Sequence, residues 1–185
     1  MYKQAFVVVG PESTGSVFLA KTISYALGTC KFFGEWDGYG HNSTTVCEGY
    51  VIHRSIPYDR PKLWQTDLLN EVNEIKSQFQ FVHYILTTRD KNISIESKIR
   101  RFGGSLLEAN KDYDFAMPFF KSLARDDVFI WNYETMLLLG DAYFLKLYKF
   151  YGISSSFIPS VRDGNLPYIK RGGLPRFYSF VKNLF

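Results

Sequence analysis

The run Val8-Val9-Gly10-Pro11-Glu12-Ser13-Thr14-Gly15-Ser16 constrains this chain more than any other. An apolar strand, Phe6–Val9, enters a turn bounded by Gly10 and Gly15, and a helical pattern, Ser16–Leu27, leaves it. Glycines let a backbone approach a ligand closely, and successive N–H groups at a helix start present a positive end. A strand before and a helix after is the setting in which such a turn holds a phosphate. The same residues also suit a plain tight turn between a strand and a helix.

The rest of the chain continues the alternation. Tyr50–His53, Phe81–Thr87 and Val128–Trp131 are apolar runs too short for helices, and their near-continuous hydrophobicity suits a parallel sheet buried on both faces. Helical patterns cover Leu63–Phe79, Asn92–Phe102, Asp112–Arg125 and Glu134–Tyr151, with Asn92 suited to an N-cap and Gly28 and Gly152 to helix ends. This order predicts one α/β domain over residues 1–185, a three-layer fold with a mainly parallel sheet of about four to five strands flanked by helices. Residues 153–185 are richer in Gly, Pro and basic side chains, and read as a basic tail packed on the domain, with a last helix near Phe177–Leu184.

Composition narrows the function classes. Hydrophobic residues at 46% and charged residues at 22% make a globular chain, not a disordered one. The net charge of +4 suits an anionic small ligand and is too weak to argue for a nucleic acid. No apolar run approaches the ~18 residues of a membrane span, and the N-terminal run is too short for a signal peptide. Cys30 and Cys47 lack metal-ligand spacing, so they read as reduced thiols of a cytoplasmic protein, with a single disulfide as the alternative and no metal expected.

The spacing Gly10 to Gly15 matches the start of G-x-x-x-x-G-K-[ST], but Ser16 stands at the lysine position and Val17 at that of the magnesium-binding hydroxyl. Hydrolysis of ATP or GTP needs both groups, so a ligand without a metal-bound triphosphate fits better. A second constellation follows the third strand. Arg89 lies just past it, and Ser97 lies eight residues further on the next helix. Arginine offers a planar fork to phosphate and serine adds a hydrogen bond. On its own, Arg89 reads better as an exposed residue pairing with Asp90 or Glu96 on a solvated face.

Together these residues resemble the sulfotransferase family that uses 3′-phosphoadenosine 5′-phosphosulfate (PAPS). That family carries a G-P-x-x-S-G-T-T turn, to which Gly10, Pro11, Thr14, Gly15, Ser16 and Val17 align without a gap, and an R-D-x-x-x-x-x-x-S signature matched by Arg89, Asp90 and Ser97. The stretch from Asp112 to Asp127 and the run Trp131-Asn132-Tyr133-Glu134-Thr135-Met136 are also similar, so the resemblance covers about residues 5 to 153. It implies a P-loop-type fold and transfer of a sulfuryl group from PAPS to a hydroxyl acceptor, a small molecule or a glycan, without a metal and with the 3′,5′-bisphosphate as product. Gly10, Pro11, Glu12, Ser13, Thr14, Gly15, Ser16 and Val17 would hold the 5′-phosphosulfate. Arg89 and Ser97 would hold the 3′-phosphate, completed by Arg162, Lys170 and Arg171 from the tail. The family usually has a basic residue where Ser13 stands; Arg54, Lys21, Lys170 and Arg171 are the candidates to replace it, with Lys21, more than a turn into its helix, behind Arg54.

Sulfuryl transfer needs a base for the acceptor proton. Of the three histidines, His53 ends the second strand, where the family places its catalytic base; it reads otherwise as a strand-end polar residue. His83 is mid-strand and reads as core, and His41 lies in a Gly-rich loop. Glu48 and Asp37 are the fallback bases. Trp36, Tyr39, Tyr58 and Trp64 flank this region as acceptor platforms or as core. The turn, His53 and Arg89 each follow a different strand, and the carboxyl ends of parallel strands share one edge where α/β sheets bind ligands. Two rivals are a P-loop kinase of a small metabolite, disfavoured by Ser16 and Val17, and a non-catalytic nucleotide-binding module, supported by Ser13.

Overall fold

The computed structural model describes residues 2–27, 49–56, 77, 79–123 and 126–169. Four strands, β1 (Tyr2–Pro11), β2 (Gly49–Ile56), β3 (Phe79–Thr88) and β4 (Phe129–Asn132), form one sheet in the order β2-β1-β3-β4, with every neighbouring pair parallel. Among the described residues, six helices accompany them: α1 (Ser16–Ala26), α2 (Lys91–Phe102), α3 (Leu106–Leu123), α4 (Tyr133–Leu139), α5 (Asp141–Tyr151) and α6 (Leu166–Ile169). This is the expected α/β architecture.

The period of two along β1 divides the core. Phe6 and Val8 face a layer made by Leu19 and Ile23 of α1, Met136 of α4, and Phe144 and Leu147 of α5. Ala5, Val7 and Val9 face the opposite side with Ile52, Tyr84 and Leu86, where Met117 of α3 packs. The central strand is therefore apolar on both sides. Full burial of side chains such as Phe6, Phe144 and Trp131 stabilises the fold by roughly 1.5–3 kcal/mol each.

Element ends differ from the sequence-based expectation for identifiable reasons. α2 is capped by Asp90, whose carboxylate accepts from Ile93 N at 3.0 Å, not by Asn92. α3 starts six residues before Asp112, because Ser105 and Glu108 form a reciprocal cap: Ser105 N donates to Glu108 Oε2 at 3.0 Å and Glu108 N to Ser105 Oγ at 3.2 Å. The pattern Glu134–Tyr151 is two helices, broken at Gly140, whose φ of 52° ends the first. Phe79 opens β3 instead of closing a helix. The remainder of Leu63–Phe79 up to residue 76 and the helix near Phe177–Leu184 lie outside the described residues.

Tyrosine hydroxyls finish the β4 side of the sheet. Tyr151 Oη accepts from Phe129 N and donates to Tyr84 O, tying β4 to β3. Tyr143 Oη accepts from Asn132 N at 3.2 Å and donates to Ile130 O at 2.9 Å, on the edge of β4 facing away from β3. Among the described residues, no helix is long and apolar enough to cross a membrane.

The strand order creates a switch point. The chain leaves β1 for β2 on one side and then crosses to β3 on the other. At such a reversal the connections diverge and leave a crevice at the carboxyl ends of the strands. The glycine turn opens there.

Candidate functional site at the carboxyl end of the central strand

Residue size at Gly10 sets how closely β1 and β3 approach. A Cβ there would stand 2.0 Å from Thr87 Oγ1 and 2.5 Å from the Thr87 carbonyl oxygen. Thr14, fully buried, pins the turn from within: its Oγ1 donates to Pro11 O at 2.7 Å and lies 2.7 Å from Thr87 Oγ1. Ser13 and Gly15 have φ of 66° and 88°, and the chain passes from Gly15 directly into α1. At Gly15 a side chain would also crowd the Tyr133 ring, 3.1 Å from the Cβ position. Ser13 Oγ is buried and has no hydrogen-bond partner among the described residues. That orphaned hydroxyl, beside a helix start, is a group that a phosphate oxygen would satisfy. Val17 is partly exposed on the first turn of α1.

His53 joins this turn. Its Nε2 lies 2.8 Å from Ser16 Oγ and 3.2 Å from Ser55 Oγ, and the two hydroxyls are 3.3 Å apart. Burial, and to a smaller extent the Arg54 charge, push the imidazole pKa down to about 4, so His53 is neutral at pH 7. Arg54 is adjacent on β2, and alternation along a strand directs it to the opposite face from His53 and Ser55. The structure thus brings His53 to the turn and leaves Arg54 out of that cluster. His83 packs between Phe6 and Tyr151, with ring centroids at 4.9 and 5.1 Å, as expected for a core histidine.

Arg89 reaches the turn from the other side. Its Nη1 donates to Ser13 O at 2.9 Å, Nε to Asn165 Oδ1 at 2.8 Å and Nη2 to Gly164 O at 2.8 Å. The guanidinium lies over the Tyr133 ring, 4.7 Å from its centroid. Asp90 caps α2, so it is not the arginine's partner. Ser97 is buried on α2, and no hydrogen bond links it to Arg89. Arg162 is exposed, and its carbonyl accepts from Tyr133 Oη at 3.1 Å.

Several residues join the site without a sequence signal. Asn165 is 4% exposed, and besides meeting Arg89 it donates from Nδ2 to Glu134 Oε1 at 3.0 Å. The Asp163-Gly164 pair signals a turn, but nothing local says that it meets Arg89. Lys98 bridges Glu12 Oε2 at 2.9 Å and Asp112 Oδ2 at 2.7 Å. Burial pulls the Lys98 pKa down, but the hydrogen bonds and charges of Asp112 and Glu12 outweigh it and leave the ammonium above its ordinary value. Ser94 lines a small cavity with Pro11, Glu12, Ile95, Lys98, Ala109 and Tyr113, with room for about one water molecule. Its Oγ has no partner among the described residues.

Lys170, Arg171, Asp37, His41, Glu48, Cys30, Cys47, Trp36, Tyr39, Tyr58 and Trp64 lie outside the described residues. No protein-family model matches the chain, and no curated protein matches it either.

Proposed function

We propose that this protein is a P-loop-type sulfotransferase that moves a sulfuryl group from PAPS to a hydroxyl acceptor such as a carbohydrate, with Gly10–Val17 as the phosphate cradle. One observation carries this. Side chains from the carboxyl half of β2, which runs three residues past His53, and from just beyond β3 both make hydrogen bonds to the segment that follows β1: His53 through Ser16 at 2.8 Å, and Arg89 through the Ser13 carbonyl at 2.9 Å. A neutral base and a permanent cation thus flank a backbone turn suited to anions.

PAPS, when bound, supplies a sulfuryl group already attached to a phosphate leaving group. The backbone of the turn and Ser13 Oγ would hold its 5′ end, and Arg89 and Ser97 its 3′-phosphate. His53, neutral at pH 7, would take the acceptor's proton at Nε2 in the tautomer that carries its own proton on Nδ1, while the Ser16 and Ser55 hydroxyls keep the ring oriented. Arg89 donates to the carbonyl of Ser13 itself, so positive charge reaches the position where the resembled family has a basic side chain.

A thermal-shift assay tests this. The 3′,5′-bisphosphate should raise the melting temperature, and magnesium-ATP should not. The reverse result would favour a small-metabolite kinase, against which Ser16, held by His53, already weighs. A non-catalytic nucleotide-binding module is the second reading, favoured by the engagement of Arg89 with protein oxygens. It would bind the bisphosphate and transfer sulfuryl to no acceptor.

A further inference from the structure

The two donors that Arg89 gives to residues 164 and 165 lie on one edge of its guanidinium. Nε meets Asn165 Oδ1 and Nη2 meets Gly164 O, both at 2.8 Å. That edge is the fork with which arginine grips two oxygens of a phosphate or carboxylate. Here two neutral oxygens of the chain stand in the positions of two anionic ones.

We propose that the Asp163–Asn165 turn is an internal occupant of the anion site at Arg89, a strap that must release the guanidinium edge before a phosphate can pair with it. This rests on the proposal that Arg89 binds a phosphate. The strap is fastened from behind by the first turn of α4. Tyr133 Oη donates to Arg162 O and accepts from Gly164 N at 3.0 Å, and Glu134 Oε1 accepts from Asn165 Nδ2. A Cβ at Gly164 would stand 2.9 Å from Tyr133 Oη, so the close seating of the strap on Tyr133 favours glycine there. Asp163 Oδ1 accepts from Asn165 N at 2.8 Å and fixes the turn. A phosphate adds charge–charge attraction to the two parallel hydrogen bonds of the fork, which a carbonyl and a carboxamide lack, so it can displace them.

Calorimetric titration of the full chain with adenosine 3′,5′-bisphosphate tests the strap. Asn165→Ala removes one of the two competing oxygens and should tighten binding about tenfold. Equal or weaker binding by Asn165→Ala, with wild type binding and Arg89→Ala not, would overturn the strap and leave the phosphate assignment standing. No binding by wild type or Asn165→Ala would sink both. Because Asn165 is buried, hydrogen exchange on the wild-type chain gives a second measure. The Gly164 and Asn165 amides should lose protection when the bisphosphate is added; unchanged or greater protection counts against release of the strap.

Discussion

Ser16 Oγ lies 2.8 Å from Nε2 of His53 and 3.3 Å from Ser55 Oγ, so hydrogen bonds join the first helical turn after β1 to the carboxyl half of β2. Either proton placement on the ring allows the bond to Ser16, but a doubly protonated imidazole in the same partly buried position does not tolerate the loss of solvent.

Acid should therefore weaken the fold through His53. Its pKa is 6.5 in the unfolded chain and about 4 in the folded one, so the unfolded state takes up more protons between those values. The contribution is complete above pH 6.5 and disappears as pH falls toward 4, on the order of 2–3 kcal/mol in all. Urea unfolding at pH 7 and pH 4.5 should show wild type losing more stability than His53→Gln. Burial lowers the His83 pKa in both proteins, so that contribution drops out of the comparison. Parallel losses would remove His53 as the source.

His53→Ala should cut sulfuryl transfer by at least ~100-fold while leaving bisphosphate affinity nearly unchanged. In wild type the acid limb of the pH–rate profile should fall near pH 4, not near 6.5. Wild-type turnover by the variant would dismiss His53 as the base.

Gly10→Ala should destabilise the protein by about 1–3 kcal/mol or more, because the new methyl meets backbone and not only a movable side chain. The melting temperature reports it. A neutral effect would mean that β1 and β3 separate easily at this point.

Replacing Arg89 by Lys keeps the charge and loses the fork. One ammonium cannot reach Ser13 O, Gly164 O and Asn165 Oδ1 as the guanidinium does. Bisphosphate affinity should fall at least about tenfold, and unchanged affinity in a titration would detach Arg89 from the ligand.

Lys98→Met should cost about 1–3 kcal/mol, between the values for exposed and fully buried pairs, since it leaves the partly buried carboxylates of Glu12 and Asp112 without their shared cation. Adding Glu12→Gln should recover part of that loss in denaturant melts. An additive double mutant would show that Lys98 acts through Asp112 alone.

The sheet was legible because β1 and the later part of β3 are apolar on consecutive positions, and burial on both faces demands that; β4 is apolar too, although its Ile130 is half exposed. The turn was legible because Gly10 and Gly15 bracket it between a strand and a helix. What local patterns could not show was which distant groups meet it. Arg89 and Gly164 are separated by 75 positions, and Lys98 and Glu12 by 86, so their meetings depend on the strand order and helix packing. The start of α3 was missed because its signal is a cap, Ser105 with Glu108, ahead of an irregular apolar pattern. Gly140 divided a continuous helical pattern by backbone conformation alone.

The Tyr143 hydroxyl has a consequence beyond the domain's own stability. A strand from a second molecule would add to β4 by bonding the outward Ile130 carbonyl and Asn132 amide, and one phenol already satisfies both. The sheet thus carries its own terminator on that side, and the partly exposed Ile130 beside it is less able to seed fibrous growth at high concentration.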